Sequence, residues 1–106
     1  MEWVAFASTL PVIAWKAGPD GTVEQWNDRW FATTGTSPST PLADWSAKLH
    51  PEDRSAWPDA LRRFTSQPVP FGGVFRVWSV AHGAYRLHLA RVAPNLDPQG
   101  VVVSWS

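Results

Sequence analysis

Few residues of this chain could do acid–base or metal chemistry. It has three histidines, and the tightest grouping of chemically able side chains is His50-Pro51-Glu52-Asp53. An imidazole beside two carboxylates would suit a divalent cation or a proton relay. A metal takes ligands converging from several elements, however, and no second histidine stands at i+3 or i+4. The plainer reading is a helix-opening turn, with Pro51 fixing the bend and the acids favoured by the helix N-terminus. His82 falls in a predicted hairpin turn. His88 falls on a predicted strand, facing away from the core, where its pKa range would let it sense pH. No serine–histidine–acid constellation, Gly-x-Ser-x-Gly elbow or Gly-rich phosphate loop is present. Neither catalysis nor a metal site is expected.

Composition narrows the field further. The chain has 106 residues, the size of one domain, and nine basic against nine acidic side chains, scattered along it. That balance argues against a nucleic-acid binder and against a polybasic membrane surface. With no cysteine, disulfides, thiolate metal sites and cysteine nucleophiles are impossible. The N-terminal fifteen or so residues are fairly apolar, but Glu2 opposes a signal peptide and Pro11 and Lys16 interrupt a membrane span. A cytoplasmic domain is expected. The unusual number is eight tryptophans. Indoles bring large apolar area and an N–H that seeks a partner when buried. They can build a core, line a ligand pocket or form an exposed contact surface.

These side chains need elements to position them. Residues 1–10 read as a cap segment with a short helix, and 11–106 as the core of one domain. Val12 to Lys16 and Thr22 to Trp26 are β-prone runs joined by Gly18-Pro19-Asp20-Gly21, a strong turn signal. Asn27 is placed to cap a short helix, its side chain reaching the N–H of Arg29 or Trp30, with Gly35 as its stop. Leu42, Trp45 and Leu49 predict a helix over Pro41 to Lys48. Trp57, Ala60, Leu61 and Phe64 form the stripe of the longest helix, expected to begin near 55–57 so that Pro58 lies in its first turn. The remainder reads as strands: Phe71 to Val80, Tyr85 to Ala93, and Val101 to Trp105 after the turn Asp97-Pro98-Gln99-Gly100. In the second of these, Tyr85, Leu87 and Leu89 are expected to face the core. Trp78 is expected on the opposite face from Phe75 and Val77.

In this order the motifs resemble a PAS domain of the subgroup common in bacterial sensor histidine kinases and diguanylate cyclases. The residues that carry the resemblance are Pro11 with Trp15, Asp20-Gly21, Asn27-x-x-Trp30, Thr34-Gly35, Trp45 and His50-Pro51-x-Asp53. Phe75-Arg76, Gly83-x-Tyr85-Arg86, Arg91 with Pro94, and Asp97-x-x-Gly100 follow. The resemblance implies an α+β fold, a five-stranded antiparallel sheet of order 2-1-5-4-3 with helices on one face. Between sheet and helices it implies a space that is a ligand pocket in some members and filled core in others. Trp30, Trp45, Trp57, Leu61, Phe64, Phe75 and Leu87 are the expected lining.

The resemblance further implies a sensory and dimerisation input domain of a two-component signalling protein, acting on a downstream effector domain. The family's usual Gly-x-x-x-Asp-Ile segment does not follow Ser106, so a fragment is expected. The sheet's outer face with the N-terminal segment, Trp3, Phe6 and Trp78 foremost, is the expected homodimer surface. No cofactor is expected: the flavin–cysteinyl adduct of light-sensing members needs a cysteine, and a haem-binding member would carry histidine on the long helix. The rival reading is a tryptophan-rich β-module that binds carbohydrate or peptide on an aromatic platform. It requires coplanar exposed indoles; the sensory reading requires shielded ones, with helix 57–66 packed over the sheet.

Overall fold

The computed structural model describes residues 3, 7–9 and 12–106. Two short strands, β1 (Trp15–Ala17) and β2 (Val23–Trp26), form the expected hairpin. Its turn closes with Gly21 N–H donating to Gly18 O at 2.9 Å, and Gly21 takes φ 85°. Asp20 braces the turn from within: its two oxygens accept from the N–H and the hydroxyl of Thr22, both at 2.9 Å. Helix α1 (Asp28–Thr34) stops at Gly35, whose φ of 74° and N–H to Phe31 O make the expected left-handed cap.

The segment after α1 forms a 3₁₀ helix, Leu42–Lys48, with Pro41 at its N-cap. The spacing of Leu42 and Trp45 is close to the three-residue 3₁₀ period, and Trp45 is turned inward while Leu42 stays exposed. Helix α2 is one uninterrupted helix, Pro51–Thr65, rather than a turn followed by a helix from about 55. Pro51 at N1 needs no hydrogen bond there, and His50 Nδ1 accepts from Glu52 N–H at 3.2 Å. Pro58 lies inside. The carbonyl it leaves unmatched is that of Arg54, an exposed residue that water can reach, which keeps the cost tolerable.

The remaining strands are β3 (Phe71–Ser79), β4 (Ala84–Val92), β5 (Pro94–Leu96) and β6 (Val102–Trp105). The pairing corrects the expected single sheet: β2-β1-β6-β5 is one antiparallel sheet and β3-β4 is another. They divide at Ala93. There the N–H of Ala93 donates to Ser106 O at 2.7 Å and Ser106 N–H donates back at 3.1 Å. Pro94 begins β5 opposite Trp105, a position where strand alternation turns its missing donor away from the ladder.

Helix α2 lies over the sheet. Phe64, Ala17, Val92 and Trp105 form one buried cluster, with Leu61, Trp57, Phe71 and Val102 packed on it. Val23, Trp26, Trp30, Leu49 and Val77 form a second, flanked by Ile13, Trp15, Phe31, Trp45 and Phe75. Trp15 joins the two. All eight tryptophans are buried or half-buried, so the coplanar exposed platform of the rival reading is absent.

Candidate functional site

Aromatic rings converge between the sheet and the helices. Trp26 stacks on Trp30 with centroids 3.9 Å apart and planes 13° from parallel. Trp45 stands 5.6 Å from Trp26 and edge-on to Trp57 at 5.1 Å, and Trp57 meets Phe75 at 6.0 Å. These rings, with Trp15, Leu49 and Val77, border a cavity of about 900 Å³ that opens along β4. A second hollow, between β2, α1 and the 3₁₀ helix, shares Trp26, Trp30 and Trp45 as its wall.

Of the expected lining, Trp30, Trp45, Trp57 and Phe75 border the main cavity. Leu61 and Phe64 do not; they belong to the cluster around Trp105, and Leu61 also presses on Gly21. Leu87 touches the cavity only at its open side and is 73% exposed. The β3–β4 register explains why. Phe75 opposes His88 and Val77 opposes Arg86, so these share the inner face, while Leu87 opposes Arg76 and Leu89 opposes Val74 outside. Tyr85, Leu87 and Leu89 therefore face outward and His88 inward, the reverse of the expectation. Trp78 lies on the outer face, as expected, against Tyr85 at 5.3 Å. Of the remaining surface residues, Trp3 is half-buried and borders the cavity, and Phe6 lies outside the described residues.

Two polar devices, one buried and one half-buried, escape a reading of local sequence. Asn27 occupies the N-cap position but makes no capping bond. Fully buried, it instead accepts from Ala14 N–H at 2.9 Å and donates to the carbonyls of Ala7 at 3.0 Å and Val12 at 2.8 Å. It pins the segment before β1 to the start of α1. The second device is Asp53, whose Oδ2 accepts from Arg76 N–H at 2.7 Å and from Arg76 Nε at 3.1 Å, while its Oδ1 takes Nη2 at 2.9 Å. The His50 N–H donates to Arg76 O at 2.9 Å, so α2 and β3 are clasped through backbone and side chain together. The His50–Asp53 motif is thus a structural joint. Among the described residues, no three histidine or carboxylate side chains are grouped to hold a metal ion.

The Arg76 hydrogen bonds hold the Asp53 carboxyl below its usual range. A folded-state pKa below the unfolded one stabilises at neutral pH, and that stability is lost as pH falls through and below the ordinary carboxylate value of 3.8. Asp53→Asn should cost about 1.5–3 kcal/mol at neutral pH, the worth of hydrogen bonds to a charged group. It should also flatten the acid limb of the urea midpoint plotted against pH. Parallel acid limbs for the two proteins would refute the assignment. Glu52, whose side chain is 77% exposed, adds little beside it.

One polar atom in the aromatic site stands apart. The indole N–H of Trp26 is buried with no acceptor among the described residues, and the Gln25 side-chain oxygen is buried with no donor among them. The Trp105 indole, equally buried, donates to Pro19 O at 3.1 Å. An unpaired buried donor costs free energy that a bound acceptor would recover.

Antiparallel sheets roofed by helices around an aromatic cavity define a mixed α+β domain. The chain belongs to the PAS fold family, whose model matches residues 23–106. Three solved structures share the fold. The N-terminal domain of a diguanylate cyclase with PAS/PAC sensor from Marinobacter aquaeolei has a TM-score of 0.69 at 21% identity, covering 88% of this chain and 87% of that one. A domain of a putative light and redox sensing histidine kinase from Haloarcula marismortui gives 0.69 at 20%, covering 98% and 93%. The PAS-B domain of Drosophila melanogaster Cycle, with bound ethylene glycol, gives 0.64 at 14%, covering 90% and 96%. At these identities the likeness is one of fold. No curated protein sequence matches the chain. No described helix is long and apolar enough to cross a membrane.

Proposed function

We propose that this PAS domain is the cytoplasmic sensory and dimerisation input module of a bacterial signalling protein, with a sensor histidine kinase as parent. Its aromatic cavity takes a small ligand with an apolar or aromatic body and one hydrogen-bond acceptor. The observation that supports this reading is the cavity walled by the stacked and edge-on rings of Trp26, Trp30, Trp45 and Trp57. The Trp26 N–H, buried without a described partner, would meet a ligand's acceptor on a turn of its ring toward the cavity. The cavity volume, about 900 Å³, lies within the range of small-molecule sites. Self-association is supported by the outer face of β3–β4, where Val74 is 59% exposed and its partner Leu89 77%.

Paired small probes test the ligand reading. Acetophenone and ethylbenzene share a ring and a similar bulk, but only the ketone can accept from the indole. Titrations followed by tryptophan fluorescence should give the ketone about 3- to 10-fold tighter binding, the worth of one neutral hydrogen bond. Native mass spectrometry should show one probe per domain. Equal affinities would remove the role given to Trp26, and no binding of either would remove the ligand.

A further inference from the structure

Between Thr34 and Leu49 the chain is loosely held. Both ends are fixed: Thr34 is 1% exposed, Leu49 is 3% exposed, and Leu49 bridges to Val77 of β3. Between them, Ser37 to Asp44 are all exposed, and the 3₁₀ helix buries none of its seven residues. A 3₁₀ run of that length is uncommon, because its hydrogen bonds are poorly aligned. Trp45 alone of the segment packs on the buried core. Beneath the segment lies the hollow shared with β2 and α1, about 640 Å³, so its inner side makes few apolar contacts. Trp45 borders this hollow and the main cavity alike, as a partition between them. Among the described residues, the hydrogen bonds of 37–48 stay within the segment or reach Leu49, with one exception. Arg54 of α2 donates from Nε to Ser46 O at 3.1 Å, and from Nη2 to Ala47 O at 3.0 Å and Leu49 O at 3.2 Å. The last carbonyls of a helix have no partner within it, and one planar guanidinium gathers three of them here.

We propose that residues 37–48 form a lid that lifts as a unit from the aromatic cluster, hinged at Gly35 and Leu49, with the Arg54 guanidinium as its latch. Gly35, at φ 74°, is the residue type that absorbs a large backbone rotation most readily. Lifting breaks the Arg54 bonds to Ser46 and Ala47, takes Ser46 O from the Leu49 N–H and withdraws one ring. The far hinge stays in place, because Leu49 remains bridged to Val77 and the His50 N–H remains bonded to Arg76 O. Withdrawing Trp45 removes the partition and opens the aromatic site to solvent from the side of α1. As an entrance for a small molecule the lid rests on the ligand reading above. As a moving part it does not, and its test uses no ligand, so the two can fail separately.

Residue-resolved amide exchange by NMR on the 106-residue chain tests it. The Leu49 N–H, bonded to Ser46 O at 3.1 Å, reports the lid, and the Asn27 N–H, bonded to Ala14 O at 3.0 Å, reports the frame. A local opening exposes little surface, so Leu49 exchange should barely change in low urea while Asn27 exchange rises steeply. Gly21→Ala weakens the frame, which is intact whether the lid is up or down. It should speed Asn27 exchange at least about tenfold and leave Leu49 unchanged. Arg54→Ala removes the latch and should speed Leu49 exchange about tenfold. Two outcomes overturn the lid. One is Leu49 following Asn27 in urea, which the unaltered chain alone decides even if a variant does not fold. The other is Leu49 exchange unmoved by Arg54→Ala.

Discussion

Asn27→Ala should lower unfolding free energy by about 2–4 kcal/mol, because it strands an N–H and two carbonyls that the fully buried amide now satisfies. Asn27→Asp separates this clamp from a capping role. Aspartate caps helices as well as asparagine does, so a cap would lose almost nothing. In the clamp, aspartate could still accept from Ala14 N–H but could donate to neither carbonyl, and it would bring a charge into a fully buried position. Urea denaturation should therefore rank Asn27→Asp at least as harmful as Asn27→Ala. A loss under about 0.5 kcal/mol for Asn27→Asp would return the residue to a cap.

Gly21→Ala is the second large effect. At φ 85° any side chain is strained, and a Cβ here would lie 2.4 Å from Leu61 Cδ1, 3.0 Å from Thr65 Cγ2 and 3.1 Å from Phe64 Cζ. Leu61 can swing its methyl aside, but Phe64 is wedged in the core, so backbone strain and overpacking together should cost about 2–3 kcal/mol. Gly83→Ala is the control: φ is 59° there and nothing lies within 4 Å, leaving backbone strain alone at about 1 kcal/mol. Adding Leu61→Ala to Gly21→Ala should recover part of the clash. Equal losses at Gly21 and Gly83 would show that α2 does not press on the hairpin turn.

Where sequence was enough, the signal was local. Gly18-Pro19-Asp20-Gly21, Gly35 and Asp97–Gly100 are turn and cap chemistry held within a few residues, and each adopts the expected conformation. The stripe Ala60, Leu61 and Phe64 needs only helical period, and it faces the sheet. The misreadings share a different cause. Asn27 finds its partners 13 to 20 residues away, and Asp53 finds Arg76 across 23, so a capping rule or a helix-dipole rule could not see them. The alternation of Tyr85, Leu87 and Leu89 has the period of a strand, but period does not say which face is buried. The Ser79–Ala84 pairing at the hairpin fixes register, and it places Phe75 and Val77 inside at the expense of the leucines. Asp53–Arg76 had one sequence signal, since both residues belong to the motifs by which the chain resembles its family.

On the proposed function, the indoles around Trp26 form a site that takes a ligand and not merely a filled core. Eight indole N–H resonances can be followed in one heteronuclear NMR spectrum of the labelled protein. On titration with acetophenone, the Trp26 indole proton should move downfield as it gains an acceptor, with smaller shifts at Trp45 and Trp57. Trp105, already bonded to Pro19, and Trp78, on the outer face, should hold their positions. A spectrum unchanged by the ketone, or one in which all the indoles move alike, would contradict the account.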